Sequence, residues 1–301
     1  MQTNHHMRGI IYASLAAILW GMTGITSQYL FQAGGVNVAW MMGVKMFLAS
    51  ITLLIIAYSR EKNAIFDIFH SIKDVFSLVV FSLFGMAGVQ FTYSMTVHHS
   101  NATIATILQT LGVVLVIFYS AVIFKQWPKR QEWIAVITAL VGAWFLITKG
   151  SLTSLALSPI TLIWGIFLMI TQMGNSVLPI NLLKKYSSEV VSGWAMLVGG
   201  IVFEFIHPVW IEVPTFTPLN IFNMLFLIFI GTALAYYLFV LSLESISSTE
   251  ATLLDTFEPL TAAILDLTIM NMTFNWAEYL GSFLVICTVF ILAYQPKNKK
   301  M

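Results

Sequence analysis

The sequence predicts an all-α membrane protein of ten transmembrane helices, arranged as two inverted-topology five-helix repeats. Three observations carry this reading. The chain is 58% hydrophobic and 9% charged with a mean hydropathy of +0.87, whereas soluble domains carry about 25% charged residues. Its apolar residues fall in ten runs, each near or above the ~17–25 residues needed to cross a bilayer. The second half also echoes the first at an almost constant offset.

The candidate spans lie at about 8–31, 37–58, 75–98, 101–124, 131–148, 158–180, 189–207, 219–243, 248–270 and 275–294. The first lacks a small-residue cleavage site and reads as a retained span, not a signal peptide. Lysine and arginine test the direction. With a cytoplasmic N-terminus, the inner segments hold Arg8, Arg60, Lys62, Lys73, Lys125, Lys129, Arg130, Lys184, Lys185, Lys297, Lys299 and Lys300, twelve in all, while the outer loops hold Lys149 alone. Lys45 falls inside the second span. Both termini are therefore expected in the cytoplasm, with no separate extramembrane domain. Trp127, Trp210 and Trp276 lie near span ends, as interfacial anchors do. A net charge of +1 gives no basis for a nucleic-acid partner, and Cys287, the single cysteine, cannot form an intrachain disulfide.

The repeat is clearest between ATILQTLGVV, residues 105–114, and ATLLDTFEPL, residues 251–260. At an offset of 146, Ala105, Thr106, Leu108 and Thr110 match Ala251, Thr252, Leu254 and Thr256. The same offset pairs Gly85 with Gly231, Ala87 with Ala233, Thr103 with Thr249 and Glu132 with Glu278. ILWG at 18–21 resembles LIWG at 162–165 at an offset of 144. Units of residues 1–150 and 151–301 then hold five spans each, and an odd number inverts the second unit against the first. Such repeats place a substrate site near the midplane between them and support alternating access.

The chain resembles the EamA-type group of the drug/metabolite transporter superfamily. The resemblance rests on Trp20–Gly21, KMFLA at 45–49, SNATIATILQ at 100–109 and STEATLLDTFEPL at 248–260, and covers about 10–147 and 160–294. It implies a secondary transporter or exporter of small metabolites such as amino acids, amines or nucleosides, in a bacterial plasma membrane. The chain departs from the family pattern at Val113, where a proline is usual, and at Gln126 and Met272, where acids are common.

The candidate site centres on the ninth span. Asp255 and Glu258, three residues apart, lie about 60° apart around a helix, and Thr252, Ala262 and Asp266 extend the same stripe. A mid-span carboxylate costs about 2.5–3.5 kcal/mol on insertion scales, so the stripe should face a protein cavity. There the acids can couple transport to protons or cations, or bind an amine directly; a structural network is the plainer reading, favoured for Asp266, which is expected near the outer end and solvated. Pro259 should kink the span and free a carbonyl near residue 255. Lys45 is expected to pair with an intramembrane acid, and Glu204 to be structural. Trp20 and Trp164 occupy matching places in the repeats, and Tyr93, Tyr236 and Tyr237 lie in the matching third and eighth spans. These aromatics can bind an amine through cation–π attraction, although packing is the commoner role. Gln90 and Gln109 are uncharged counterparts of Tyr236 and Asp255, so the first repeat offers hydrogen bonds and the second offers charge. Substrate binding is thus assigned to Trp20, Gln90, Tyr93, Gln109, Trp164, Tyr236, Tyr237, Asp255 and Glu258, and coupling or gating to Lys45, Asp255, Glu258 and Pro259. His5, His6, His98 and His99 show no metal-like spacing, so no metal or cofactor is assigned. Gly85, Ala87, Gly88, Gly231, Ala233 and Ala235 favour close helix packing.

The partners expected are a small-molecule solute and the lipid bilayer, with proton coupling suggested by the acids; these features do not encode an oligomeric state. Export by alternating access is the leading reading. Import of a cationic compound such as choline, which some relatives perform, is the alternative. An intramembrane hydrolase is weaker, because Asp255 and Asp266 would sit about 16 Å apart on one helix and a carboxylate dyad must converge on one atom. The absence of a P-loop argues against an ATP-driven pump. A channel would differ from a carrier in its unsaturable, conductive flux.

Overall fold

The computed structural model describes the chain except Met1, Phe124, Gln126, Thr153, residues 247–249, 252–253 and 294–301, and without the side chains of 2–5 and 293. Thr249, Thr252, Gln126, Lys297, Lys299, Lys300 and the His5 side chain therefore lie outside the described residues.

Every regular element among the described residues is helical. In chain order these are α1 (Gln2–Gln28, continued by a π-helical turn Tyr29–Ala33), α2 (Val38–Glu61, followed by a 3-10 stretch Lys62–His70), α3 (Ile72–Phe81) and, after a π turn at Ser82–Ala87, α4 (Gly88–His99). Then come α5 (Ala102–Thr110), α6 (Gly112–Ile123), α7 (Arg130–Thr148), α8 (Pro159–Val177), the short α9 (Ile180–Leu183) and α10 (Ser188–Ile206). The chain continues through α11 (Pro218–Leu225), a π stretch at Phe226–Leu234, α12 (Ala235–Leu243), α13 (Phe257–Thr268) and α14 (Trp276–Ala293). Eight of the resulting continuous helices are long and apolar enough to cross a membrane. The ninth and tenth expected spans correspond to α13 and α14, which are shorter as described.

Helix starts follow from local sequence. Asn37, Ser71, Asn101, Ser158, Ser187 and Thr217 each accept a backbone N–H of the first turn of α2, α3, α5, α8, α10 and α11, as N-caps do. Pro159 and Pro218 open α8 and α11, where a missing N–H is harmless. The repeat pair Glu132 and Glu278 has one task in both halves. Each carboxylate reaches back to the backbone N–H at its helix start, Lys129 N at 2.6 Å and Asn275 N at 2.8 Å, in a capping-box arrangement.

Packing mirrors the repeat. Equivalent helices pack on each other: α2 on α10 and α7 on α14. Other contacts come in matched pairs, α1 against α12 as α8 against α4, and α1 against α13 as α8 against α6. Exchanging the halves maps these pairs onto one another. Small residues allow the close crossings. A Cβ on Gly200 of α10 would sit 2.8 Å from the backbone nitrogen of Phe47 on α2, and one on Gly281 of α14 would sit 2.7 Å from the carbonyl oxygen of Gly142 on α7. Gly85 and Gly88, singled out in the sequence, face Asn175 and Thr171 of α8, and Gly231 faces Thr23 of α1. Ion pairs tie the helix ends: Arg60 with Glu189 and Glu244 at 2.6 and 2.7 Å and Lys185 with Asp74 at 2.8 Å at one end, and Lys149 with Glu278 at 2.9 Å at the other.

The α2–α10 crossing yields a first prediction. Gly200→Leu must push the helices apart against backbone, so it should destabilise the protein by about 1–3 kcal/mol, as overpacking does. Thermal unfolding in detergent checks this, and an unchanged transition would contradict the crossing.

Candidate functional site

A cavity of about 680 Å³ lies where the two halves meet. Its lining combines residues of α1, α2, α4, α5, α6 and α8 with others of the π stretch before α12, of α12, of the turn leading into α13, of the first turn of α13, and of α14.

Two broken helices bring the central polar groups to it. The helix begun by α5 is interrupted at Leu111, and the chain turns at Asp255–Thr256 before α13 starts at Phe257. At the repeat offset, Gln109 and Thr110 correspond to Asp255 and Thr256, and all four line the cavity. Pro259 was expected to kink a continuous span. Instead it occupies the first turn of a new helix, where its missing N–H is harmless. The turn is closed by Glu258 N donating to Asp255 O at 2.9 Å. The first half breaks within two residues of the matching place without a proline, so the interruption belongs to the repeat and not to Pro259 alone.

Of the residues assigned from sequence, Trp20, Lys45, Gln90, Tyr93, Gln109, Tyr236, Asp255, Glu258 and Pro259 line the cavity. Trp20 stacks edge-on against Tyr236, with centroids 5.3 Å apart, and packs on Phe239 at the same separation, forming an aromatic wall. Trp164 and Tyr237 do not line it. The Trp164 ring packs edge-on against Phe91 at 5.6 Å instead. Tyr237 is one residue beyond Tyr236, and a helical step turns it about 100° away.

The acids separate into two kinds. Asp266 was expected to be solvated, yet it is fully buried. Its Oδ2 accepts both Thr103 N, at 2.9 Å, and Thr103 Oγ1, at 2.5 Å. Gln28 Oε1 accepts Ala102 N at 2.8 Å, and Asn101 Oδ1 accepts Ile104 N at 2.8 Å. Three side chains thus satisfy the first N–H groups of α5, and Asp266 is structural. Glu204 is structural too, accepting Val209 N at 3.0 Å. Asp255 and Glu258 have no hydrogen-bond or ion-pair partner among the described residues, and Asp255 Oδ1 is shielded from water.

Lys45 was expected to pair with an acid. Its Nζ donates instead to Gln90 Oε1 at 2.6 Å, and no carboxylate among the described residues is within ion-pair distance. Gln90 stands across from it on α4, whereas the free acids are held by the segment entering α13. The sequence reading missed Gln172 and Asn175 of α8, which line the cavity with unpartnered side-chain oxygens. Their i, i+3 spacing in an apolar run was the signal that could have found them.

The lining is lopsided along the bundle. It takes Gln172, Asn175 and Ser176 from the late part of α8 and Ile286, Val289 and Leu292 from the late part of α14. The opposite end is closed by the cap of α5 and by Gln32 Nε2, which donates to the carbonyls of Val97, His98 and Ser100 at 2.8, 3.2 and 2.9 Å.

The profile of the EamA-like transporter family matches residues 7–148 and again 155–294. An uncharacterized inner membrane transporter of Salmonella typhimurium, YicL, is 28% identical over 295 residues, covering 97% of each chain. An uncharacterized transporter of Bacillus subtilis, YwfM, is 24% identical over 302 residues, covering 98% of this chain and 97% of its own. A solved crystal structure superposes with a TM-score of 0.62 over 97% of both chains at 13% identity, a likeness of fold alone.

The two kinds of acid should respond differently to substitution. Asp266→Ala strands two buried donors and should cost about 1–3 kcal/mol. Asp255→Asn removes a charge inside the bundle that has no partner among the described residues, and should leave the unfolding temperature unchanged or raised. Thermal unfolding of both variants checks this, and equal losses would contradict the division.

Proposed function

The chain belongs to the EamA-like transporter family, and from that premise we propose that it is a secondary transporter moving a small organic metabolite by alternating access, as an exporter, in the bacterial plasma membrane. The names of YicL and YwfM support a membrane transporter, and that of YicL an inner-membrane location. The observation that carries the reading is the cavity between the halves, lined by two carboxylates without partners among the described residues, at the turn that starts α13. A group held unsatisfied in an apolar bundle is expensive unless it meets a ligand or a proton in the working cycle.

In this reading α13 and α14 complete ten spans, and the halves, taken as residues 1–150 and 151–301, form inverted repeats. The matched contacts of α2 with α10 and of α7 with α14 support that relation. With both termini cytoplasmic, as the lysine and arginine distribution indicates, the cavity faces the cytoplasm. The cap of α5 by Gln28 and Asp266 closes the outer side. Outward opening then requires α5 to part from Asp266, while Asp255 and Glu258 exchange solute or protons with whichever side is open. Import of a cationic solute is the second reading, favoured by the Trp20–Tyr236 wall beside the two acids.

Reconstituted protein should show saturable uptake and counterflow; unsaturable, conductive flux would indicate a channel. Asp255→Asn and Glu258→Gln should each slow transport by about tenfold or more, a loss of about 1.4 kcal/mol or more of transition-state stabilisation. They should also flatten its pH dependence. Wild-type rates with unchanged pH dependence in both variants would overturn the role of the acids.

A further inference from the structure

Alternating access needs a second closed state, and the repeat points to the side chains that build it. In the present state Gln28, at the end of α1, accepts Ala102 N with its Oε1 at 2.8 Å and helps to close one end of the cavity. The offset of 144 that relates ILWG at 18–21 to LIWG at 162–165 also relates Ser27–Gln28 to Thr171–Gln172. Gln172 of α8 is thus the counterpart of Gln28. It lines the cavity, and its Oε1 is shielded from water with no donor among the described residues. One copy of the glutamine is engaged and the other is idle. A buried acceptor left without a donor carries a cost, and a second state that supplies the donor accounts for it.

The packing is asymmetric in the same sense. α1 packs on α4 and α5 of its own half besides α12 and α13. α8 packs on α4 and α6, and makes no comparable contact with α12 of its own half among the described residues. The register differs as well. A Cβ on Gly21 of α1 would sit 2.6 Å from Glu258 O. At the repeat offsets the equivalent contact joins Gly165 to Gly112. A Cβ on Gly112 would instead meet Met169 O at 3.2 Å and Gln172 Cγ at 2.8 Å, four and seven residues beyond Gly165 along α8. Four residues make about one helical turn, a step by which packed helices pass between two arrangements.

Resting on the transporter reading, we propose that Gln172 is the latch of the end that is open here. In the opposite state α8 closes over the cavity mouth. Gln172 Oε1 then accepts a backbone N–H of the turn that opens the ninth span, ahead of Asp255, as Gln28 does at the start of α5. The two latches are unequal. Asp266, a further acceptor at the start of α5, has Ser120 at its repeat position, offset by 146. The second joint therefore lacks the equivalent carboxylate, and the state closed by Gln28 and Asp266 is the favoured one. Gln172 works against that bias. It is a positioning residue, acting on which end is open and not on the solute.

The test needs no solute. Val113 lines the cavity. Val113→Cys, in the full chain carrying Cys287→Ser, is labelled in vesicles by a membrane-impermeant methanethiosulfonate added to one face or the other. With both glutamines intact, it should react fast from the open end and slowly from the closed end. Gln172→Met keeps the side-chain length and removes the acceptor. It should slow labelling from the closed end about fivefold or more, the scale of one hydrogen bond, and leave the unfolding temperature unchanged or raised. Gln172→Glu keeps an acceptor and should restore the closed-end rate. Gln28→Met should speed it. Rates that Gln172→Met leaves unchanged, as a residue serving only to bind solute would, overturn the latch. So does an equal slowing in Gln172→Glu, or a slowing in Gln28→Met. If Gln28→Met fails to fold, the two Gln172 variants still decide. No closed-end labelling with both glutamines intact and none in Gln28→Met overturns alternating access itself, and is recognisable as a different failure.

Discussion

A helix that starts inside an apolar bundle presents backbone N–H groups that no water can satisfy. α5 starts in this way, and its Ala102, Thr103 and Ile104 N–H groups are accepted by Gln28, Asp266 and Asn101. Asn101 is local, but Gln28 comes from α1 and Asp266 from α13. Meeting one helix's backbone demand therefore pins three helices from both halves of the chain at one level. That junction closes one end of the bundle, and the cavity occupies the space it leaves toward the other.

The same bookkeeping of polar groups divides the charges. Those near helix ends are spent on structure: Arg60 on Glu189 and Glu244, Lys185 on Asp74, and Lys149 on Glu278. Asp266 is spent on α5. Lys45, Asp255 and Glu258 line the cavity instead, and none of them has an ion-pair partner among the described residues. Charges without charged partners inside an apolar bundle are the groups that a solute or a proton can still reach, which is why the functional reading concentrates on them.

The repeat explains how one scaffold carries an asymmetric site. Both halves turn within two residues of the matching place, at Leu111 and at Asp255–Thr256. The side chains there differ, Gln109 in one half and Asp255 in the other. The comparison of ATILQTLGVV with ATLLDTFEPL exposed this charge asymmetry, and the structure adds that the break does not depend on Pro259.

The sequence alone determined the apolar runs, the caps at their starts, the internal repeat and the resemblance to the family, because each of these is carried by neighbouring residues or by a fixed offset along the chain. Asn101, Ser158 and Thr217 cap their helices through groups two or three residues away, and Glu132 and Glu278 do so in register. Only the tertiary structure decided which polar groups are partnered. Asp266 and Asp255 share one stripe in sequence, yet one is consumed by Thr103 and the other is free. Trp20 reaches the cavity and its repeat counterpart Trp164 packs on Phe91; Lys45 meets Gln90 and not an acid; Gln172 and Asn175 join the lining unannounced. These outcomes depend on how each helix is rotated about its axis and on which helix is pressed against it, and a one-residue step of about 100° is enough to separate Tyr236 from Tyr237.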